Sequence, residues 1–230
     1  MKKSLSLFLI LSFSTVWGQI TVEAIIDSVQ SRFNRIQDYS VQIKLTVNME
    51  KFRIPRKRID VYFKQPDKLK IEADGFAIVP RQGVSVPVIL DSLQALKLVG
   101  DDVIVDGPCW VIEGLRREGN WQLNTSVWVD KRDWVITQVI SHLDTVEIAR
   151  VQLDYTLVDQ VFLLPVKTTV TVQAAPEMTA KLGHFDPNRH GDSIEKRVDK
   201  SVRNGTIIME FSRYRVNRGI KDGFFNDTDW

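Results

Sequence analysis

The residues of this chain that could support metal binding or nucleophilic chemistry are too few and too irregularly spaced to form a known site. The three histidines are His142, His184 and His190, and no zinc-ligand spacing connects them. Asp101, Asp102 and Asp106 do not follow the pattern of a calcium loop. Phosphate-binding glycine loops and a Gly-x-Ser-x-Gly elbow are absent. We therefore expect no enzyme, metal or cofactor, with a hydrolase built from dispersed residues as the weaker alternative.

The single cysteine is Cys109, in the sequence Gly-Pro-Cys-Trp. An intrachain disulfide is excluded, and no histidine stands next to the thiol to activate it. A buried structural cysteine is the interpretation that we favour over a reactive one.

The first 18 residues have the three regions of a secretory signal peptide. Lys2 and Lys3 precede an apolar run from Leu5 to Val16, and Gly18 offers a small residue for cleavage. The apolar run is too short to cross a bilayer. We expect cleavage after residue 18 and a single domain over residues 19–230. Without the two lysines the chain carries 29 basic and 29 acidic residues, which argues against a nucleic-acid partner.

The elements that follow are organised around an alternating pattern between residues 38 and 73. Apolar and polar side chains alternate with a period of two, which predicts three antiparallel strands with one apolar face. The apolar positions are Val41, Ile43, Leu45, Val47 and Met49, then Ile59, Val61 and Phe63, then Leu69, Ile71 and Ala73. A basic turn is predicted between the first two strands. Its cations are Lys51, Arg53, Arg56, Lys57 and Arg58, which could face an anionic membrane or an acidic partner, or could simply be a solvated turn that blocks sheet-to-sheet pairing.

The rest of the chain is predicted to be mainly β. An amphipathic helix over 20–36, capped by Thr21, precedes the strands. Strand signals recur at 103–105, 110–113, 121–129, 134–142, 145–155, 161–173 and 206–216, and residues 174–205 are predicted to form a polar loop. About ten or eleven strands would form one large antiparallel sheet that curls. A curled sheet with few helices leaves a hydrophobic concave face as a candidate binding cavity.

Residues 76–98 interrupt the strand pattern with prolines and aliphatic side chains. Val88 to Leu98 could be a strand or a short helix, with the spacing leaning helical. The segment could be a mobile cover over the cavity or an ordinary packed loop. The lid candidates are Val88, Ile89, Leu93 and Leu96.

Four phrases of the sequence resemble, in order, bacterial outer-membrane lipoprotein-sorting proteins of the LolA-like group, whose relatives include LolB and RseB. They are Tyr62 to Ile71, Val127 to Ile140, Tyr155 to Pro165 and Tyr214 to Ile220. The resemblance implies a half-barrel closed by helices around a cavity for acyl chains, in the periplasm. In the carriers a strand-end motif ends in Lys-Arg-Pro and its arginine latches the lid. Gln65 stands at the position of that arginine here.

The expectation from sequence is thus a monomeric periplasmic carrier of lipoprotein acyl chains or other lipids, which would take cargo from an inner-membrane donor to an outer-membrane acceptor. Nine apolar residues are predicted to line its cavity: Val41, Ile43, Leu45, Val47, Ile59, Val61, Phe63, Leu69 and Ile71. The main alternative is an RseB-like envelope sensor that binds a protein.

Overall fold

The computed structural model describes residues 20–50, 52–73, 87–104, 107–118, 121–173 and 204–225. Two α-helices, a short 3-10 helix and ten strands occur in these ranges. The helices are α1 (Val22–Phe33) and α2 (Pro87–Asp91), and the 3-10 helix is Asp222–Phe225. The strands are β1 (Asp38–Met49), β2 (Phe52–Lys64), β3 (Lys68–Ala73), β4 (Gln94–Ile104), β5 (Gly107–Glu118), β6 (Trp121–Asp130), β7 (Ile136–Leu143), β8 (Val146–Val158), β9 (Phe162–Gln173) and β10 (Asn204–Val216).

The ten strands form one antiparallel sheet in the order β3-β2-β1-β10-β9-β8-β7-β6-β5-β4. Strands β4 to β10 follow one another as a meander, and β1 then pairs with β10, so that the first and last strands lie side by side. The sheet does not close into a barrel, and β3 and β4 are its edges. The prediction of a mainly β chain built on one large antiparallel sheet is confirmed.

The predicted basic turn is wrong, because β2 begins at Phe52, directly opposite Met49. The basic residues after position 51 therefore belong to a strand. The register between β1 and β2 shifts between Leu45 and Val47, and this irregularity accommodates Pro55, which cannot donate a ladder hydrogen bond.

The ambiguous run from Val88 to Leu98 contains both predicted structures. Helix α2 ends at Asp91, and β4 starts three residues later, at Gln94. The strand signal near Val103 belongs to the end of β4, so it marks no separate strand. The predicted signal peptide and nearly all of the 174–205 segment lie outside the described residues.

One face of the sheet carries a continuous row of apolar side chains across eight strands. Each residue of the row is the register partner of the next. In the spatial order β1, β10, β9, β8, β7, β6, β5 and β4, the residues are Val47, Ile207, Val170, Val151, Val139, Val127, Ile112 and Leu98. β-Branched residues dominate the row because they pack well on a pleated surface. This row is the centre of the apolar face that the alternating pattern predicts.

Helix α1 lies on the half of this face formed by β5 to β8. Thr21 caps its first turn, with its hydroxyl accepting a hydrogen bond from the Ala24 amide at 3.2 Å. Ile25 and Val29 are buried, and they belong to the same apolar cluster as Ile112 and Val139. The helix is shorter at both ends than the predicted span of residues 20–36: it begins at Val22 and ends at Phe33.

Candidate functional site

The nine residues predicted to line a cavity form one cluster on the apolar face. Seven of them are buried, and Leu69 and Ile71 on the edge strand β3 are half-buried. Strand β10 adds Ile207, Met209 and Phe211 to the same cluster. We call this the β1–β2 cluster.

The two halves of the apolar face differ in what covers them. The second cluster, which we call the helix-covered cluster, contains Ile25 and Val29 of α1 and Ile89 and Leu90 of α2. In the β1–β2 cluster, by contrast, Phe33 is the one residue contributed by a described helix. The helices described here therefore leave the β1–β2 half of the sheet without a helical layer.

Three of the four lid candidates lie in the helix-covered cluster. Ile89 and Leu93 are buried there and Leu96 is half-buried. Helix α2, which includes Val88, also joins α1 through a hydrogen bond of 3.2 Å from Gln30 Nε2 to Asp91 Oδ1. The short helix α2 thus packs beside α1 in the helix-covered cluster.

Gln65, at the predicted latch position, connects the end of β2 to the end of α1. Its side-chain Nε2 donates to the carbonyl oxygen of Ile36 at 2.8 Å and to that of Asn34 at 3.3 Å. Its backbone amide donates to the carbonyl of Gln37 at 2.9 Å. Carbonyl groups at a helix C-terminus lack intrahelical donors. A neutral amide therefore holds this end of α1 without adding charge.

The basic residues of β2 contribute to a charged outer surface. Arg56 and Arg58 are exposed and Lys57 is half-buried, whereas Lys51 is outside the described residues and only the backbone of Arg53 is described. Lys44, opposite Arg58 in the register, forms an ion pair of 2.6 Å with Glu210. The hydrogen bond from Lys44 lowers the pKa of Glu210. This surface mixes both signs of charge.

A cavity of about 50 Å³ that the sequence pattern does not indicate lies at one end of the sheet. It is bounded by the C-terminal end of α1, the start of β1, the segment before β7 and the β8–β9 hairpin. Its lining residues are Val29, Arg32, Phe33, Arg35, Ile36, Tyr39, Trp134, Val135, Tyr155, Val161, Phe162, Leu163, Leu164, Pro165 and Tyr214. These residues come from positions up to 185 apart, so no local pattern could have grouped them.

The segment after β10 is joined to the sheet and to the β2–β3 hairpin by hydrogen bonds and ion pairs. The carboxylate of the buried Asp38 accepts hydrogen bonds from the backbone amides of Arg218, Gly219 and Ile220, at 2.9, 3.0 and 3.3 Å. Farther along, Asp222 pairs with Lys64 and Lys68 of the β2–β3 hairpin, at 2.8 and 3.0 Å. These lysines lower the pKa of Asp222 to about 2.

Hydrogen bonds from the same segment fix the connection between α1 and β1. Asn217 Oδ1 accepts from the Gln37 amide at 2.7 Å, and Asn217 Nδ2 donates to the carbonyl of Arg35 at 3.0 Å. Asn217 has a positive φ of 54°, which asparagine tolerates better than most residues. The C-terminal segment thus determines how the chain leaves α1.

Within the described residues, no group of three or more histidine, cysteine, aspartate or glutamate side chains could hold a metal ion. Cys109 is buried, in agreement with the structural interpretation. Among the helices described, none is long and apolar enough to cross a membrane.

Thr168 is a buried polar residue at the middle of the apolar face. It pairs with Met209 on one side and Leu153 on the other, and all three side chains are almost fully buried. Its hydroxyl has no hydrogen-bond partner among the described residues. Burial without a partner is unfavourable for such a group.

No family model and no curated protein matches the chain by sequence. Solved structures do match its fold. A LolA superfamily protein, NE2245 from Nitrosomonas europaea, is 9% identical, with a TM-score of 0.54 over 90% of this chain and 98% of that chain. A domain from Vibrio parahaemolyticus, named for outer membrane lipoprotein sorting, is 11% identical, with a TM-score of 0.54 over 87% of this chain and 95% of that chain. At this identity the similarity concerns the fold, and it confirms the resemblance to the LolA-like group at that level.

Proposed function

We propose, from the LolA-like fold as premise, that this protein binds acyl chains of lipoproteins or of other lipids and carries them across the bacterial periplasm. The observation that supports this function best is the apolar row that crosses eight strands of the sheet and continues into the β1–β2 cluster. Such a face offers extended hydrocarbon contact. The nine residues of the predicted lining, from Val41 to Ile71, are the proposed contact set.

The described structure corresponds to a closed state under this proposal. The cavity at the α1 end of the sheet, of about 50 Å³, is roughly a third of a cavity that holds one benzene molecule, about 150 Å³. An acyl chain therefore needs the buried apolar face to open, and the helix-covered cluster adjoins the proposed contact set through the apolar row. Moving α1 and α2 as one lid would uncover Ile112, Val127 and Val139, which they now cover.

Gln65 is the proposed latch for this movement. Its two side-chain hydrogen bonds to the end of α1 are neutral, and a neutral hydrogen bond contributes about 0.5 to 1.5 kcal/mol. A latch of that strength can open at a cost that the burial of a few methylene groups offsets, at about 0.8 kcal/mol each. Loading and opening would then be coupled.

A protein-binding module of the RseB type is the second candidate, and the small cavity favours it. The edge strand β4 also exposes Val103 and Val99, with 76% and 53% of their surfaces accessible. A partner segment could add to this edge as a further strand. In that case the apolar face would be the hydrophobic core of the protein and would bind no lipid.

Mass spectrometry of the intact protein, together with lipid extraction, separates the two candidates. The protein is overproduced with its own N-terminal segment and purified from the periplasm without detergent. A carrier retains lipids with acyl chains and takes up a fluorescent fatty-acid analogue. Absence of both bound lipid and probe uptake refutes the carrier function, and recovery in the cytoplasm with residues 1–18 intact refutes the periplasmic location.

A matched pair of variants tests the contact set. Ile71→Trp places bulk on the apolar face of β3 at a half-buried position, so the strand can accommodate it, and it should weaken probe uptake. Glu72→Trp places the same bulk at the exposed neighbouring position, on the opposite face. Equal probe affinity in the two variants would exclude the β1–β2 cluster from binding. A charged substitution at the buried Leu45 would be a poorer test, because it would unfold the protein whether that position lines a cavity or belongs to an ordinary core.

A further inference from the structure

The cavity at the end of the sheet combines an apolar wall with cations at its lining. Two of its fifteen lining residues, Arg32 and Arg35, carry positive charge, and none is acidic. Two of its tyrosines contribute their ring surfaces, because their hydroxyl groups are already hydrogen-bonded. Tyr155 donates its hydroxyl hydrogen to the carbonyl oxygen of Ile136 at 2.7 Å, and Tyr214 donates to the carbonyl oxygen of Pro165 at 2.8 Å. Burial raises the pKa of both hydroxyls, so they stay neutral. The cavity therefore favours a ligand with an apolar body and a negative end.

The two arginines differ in whether local structure accounts for their charge. Arg32 lies in the last turn of α1, where a cation is favourable to the helix dipole, and it pairs with Asp133 at 3.5 Å. Arg35 lies beyond the helix, is exposed, and forms no ion pair among the described residues. Packing and helix capping thus account for Arg32 but leave the guanidinium of Arg35 without a structural role.

The backbone that carries Arg35 is fixed from two sides. Asn217 holds the Arg35 carbonyl at 3.0 Å, and Gln65 holds the Ile36 carbonyl at 2.8 Å. The side chain therefore extends from a rigid connection next to the cavity. Such preorganisation reduces the entropy lost when a charged group binds a ligand.

We propose that this end of the sheet is a headgroup subsite for single-chain lipids with an anionic headgroup. The guanidinium of Arg35, supported by the charge of Arg32, binds a carboxylate or a phosphate, and the adjoining methylene groups enter the cavity against Phe33 and Phe162. Guanidinium groups suit both anions because they donate parallel hydrogen bonds to two oxygens. This inference rests on the proposed lipid-binding function and specifies the class of lipid.

Four amphiphiles of equal chain length test the subsite by isothermal titration, the three ionic ones below their micelle concentrations and dodecanol below its solubility limit. Laurate and dodecyl phosphate carry the two anions, dodecanol is neutral, and dodecyltrimethylammonium is cationic. We expect both anions to bind about tenfold more tightly than dodecanol, and the cation to bind most weakly. Tighter binding of one anion than of the other identifies the headgroup as carboxylate or phosphate.

Arg35→Gln should raise the Kd for the anions about fivefold and leave the Kd for dodecanol unchanged. A fivefold change corresponds to a partly exposed ion pair of roughly 1 kcal/mol. Arg35→Lys should retain part of the preference. Arg117→Gln, at an exposed position on β5 away from the cavity, is the control and should change nothing. The urea midpoint of Arg35→Gln should match that of the wild type, since the side chain is exposed.

The outcomes separate this inference from the proposed function. Equal binding of all four amphiphiles, unchanged by Arg35→Gln, overturns the headgroup subsite and leaves acyl-chain binding intact. Binding of none of them overturns both. A preference for anions that stays near tenfold in Arg35→Gln also overturns the assignment, because it places the anion elsewhere.

Discussion

Replacing Thr168 by valine should stabilise the protein, although most substitutions of buried residues do the reverse. The threonine is fully buried between Met209 and Leu153, and its hydroxyl has no partner in the described part of the chain. A buried unpaired polar group costs about 1 to 3 kcal/mol. Valine keeps the branched shape and the preference for strands while removing that cost. We expect the free energy of unfolding to rise by about 1 kcal/mol.

Thr125 provides the matched control for this prediction. It is also fully buried in the sheet, but its hydroxyl is hydrogen-bonded to Ser141 Oγ at 3.0 Å. Thr125→Val removes one partner and leaves the buried Ser141 hydroxyl unsatisfied, so it should destabilise by about 1 to 3 kcal/mol. The two chemically identical substitutions are thus expected to have opposite signs.

Equilibrium urea unfolding, followed by tryptophan fluorescence, measures both effects. For a chain of this size 1 kcal/mol corresponds to a shift of about 2 to 4 °C in Tm, which calorimetry resolves as an independent check. If Thr168→Val destabilises the protein as much as Thr125→Val does, the Thr168 hydroxyl is satisfied in solution. The interpretation of Thr168 as an unpaired group would then be wrong.

Three further predictions concern the connections at the end of α1 and at the C-terminal segment. Gln65→Glu keeps the shape but loses the donor to the Ile36 carbonyl, and should lower the free energy of unfolding by about 1 kcal/mol in urea titrations; no loss would exclude the latch. Asp38→Asn weakens the acceptor for three backbone amides and should cost about 2 kcal/mol, with faster hydrogen exchange at residues 218–220; unchanged exchange contradicts it. The pKa of Asp222 is depressed from 3.8 to about 2, so its contribution is complete above about pH 4 and lost as the pH falls through 2. Protection factors for hydrogen exchange at residues 220–224, corrected for the intrinsic pH dependence of exchange, should fall over that interval, and Asp222→Asn should abolish the dependence.

The sheet could be predicted from the sequence because its signal is local. Val41, Ile43, Leu45 and Val47 alternate without interruption, and the structure places all four on one buried face of β1. The start of β2 was mispredicted for a physical reason. Its charged residues and Pro55 favour a turn, but a register shift in β2 accommodates the proline and the outer face of the sheet accommodates the charges.

The candidate headgroup subsite could not be predicted, because its determinants are far apart in the chain. Arg32 and Arg35 by themselves look like the usual basic end of a helix. Their significance depends on Phe162 and Tyr214, which are brought to the same cavity by the pairing of β1 with β10 and of β10 with β9. Only the assembled topology shows that an apolar wall lies beside these cations.

The pairing of β1 with β10 also bears on how the protein is made. The end of β1 at Met49 and the start of β10 at Asn204 are 155 positions apart. Under the proposed export the chain folds as it leaves the membrane channel, N-terminus first, so about 155 residues follow β1 before β10 emerges. During that time the edge of the N-terminal hairpin has no native partner, while Ile43 and Leu45 have no β10 side chains to pack against. A chaperone that shields this hairpin should therefore raise the yield of folded protein more than one that acts on the later meander, whose strands find their neighbours as they emerge.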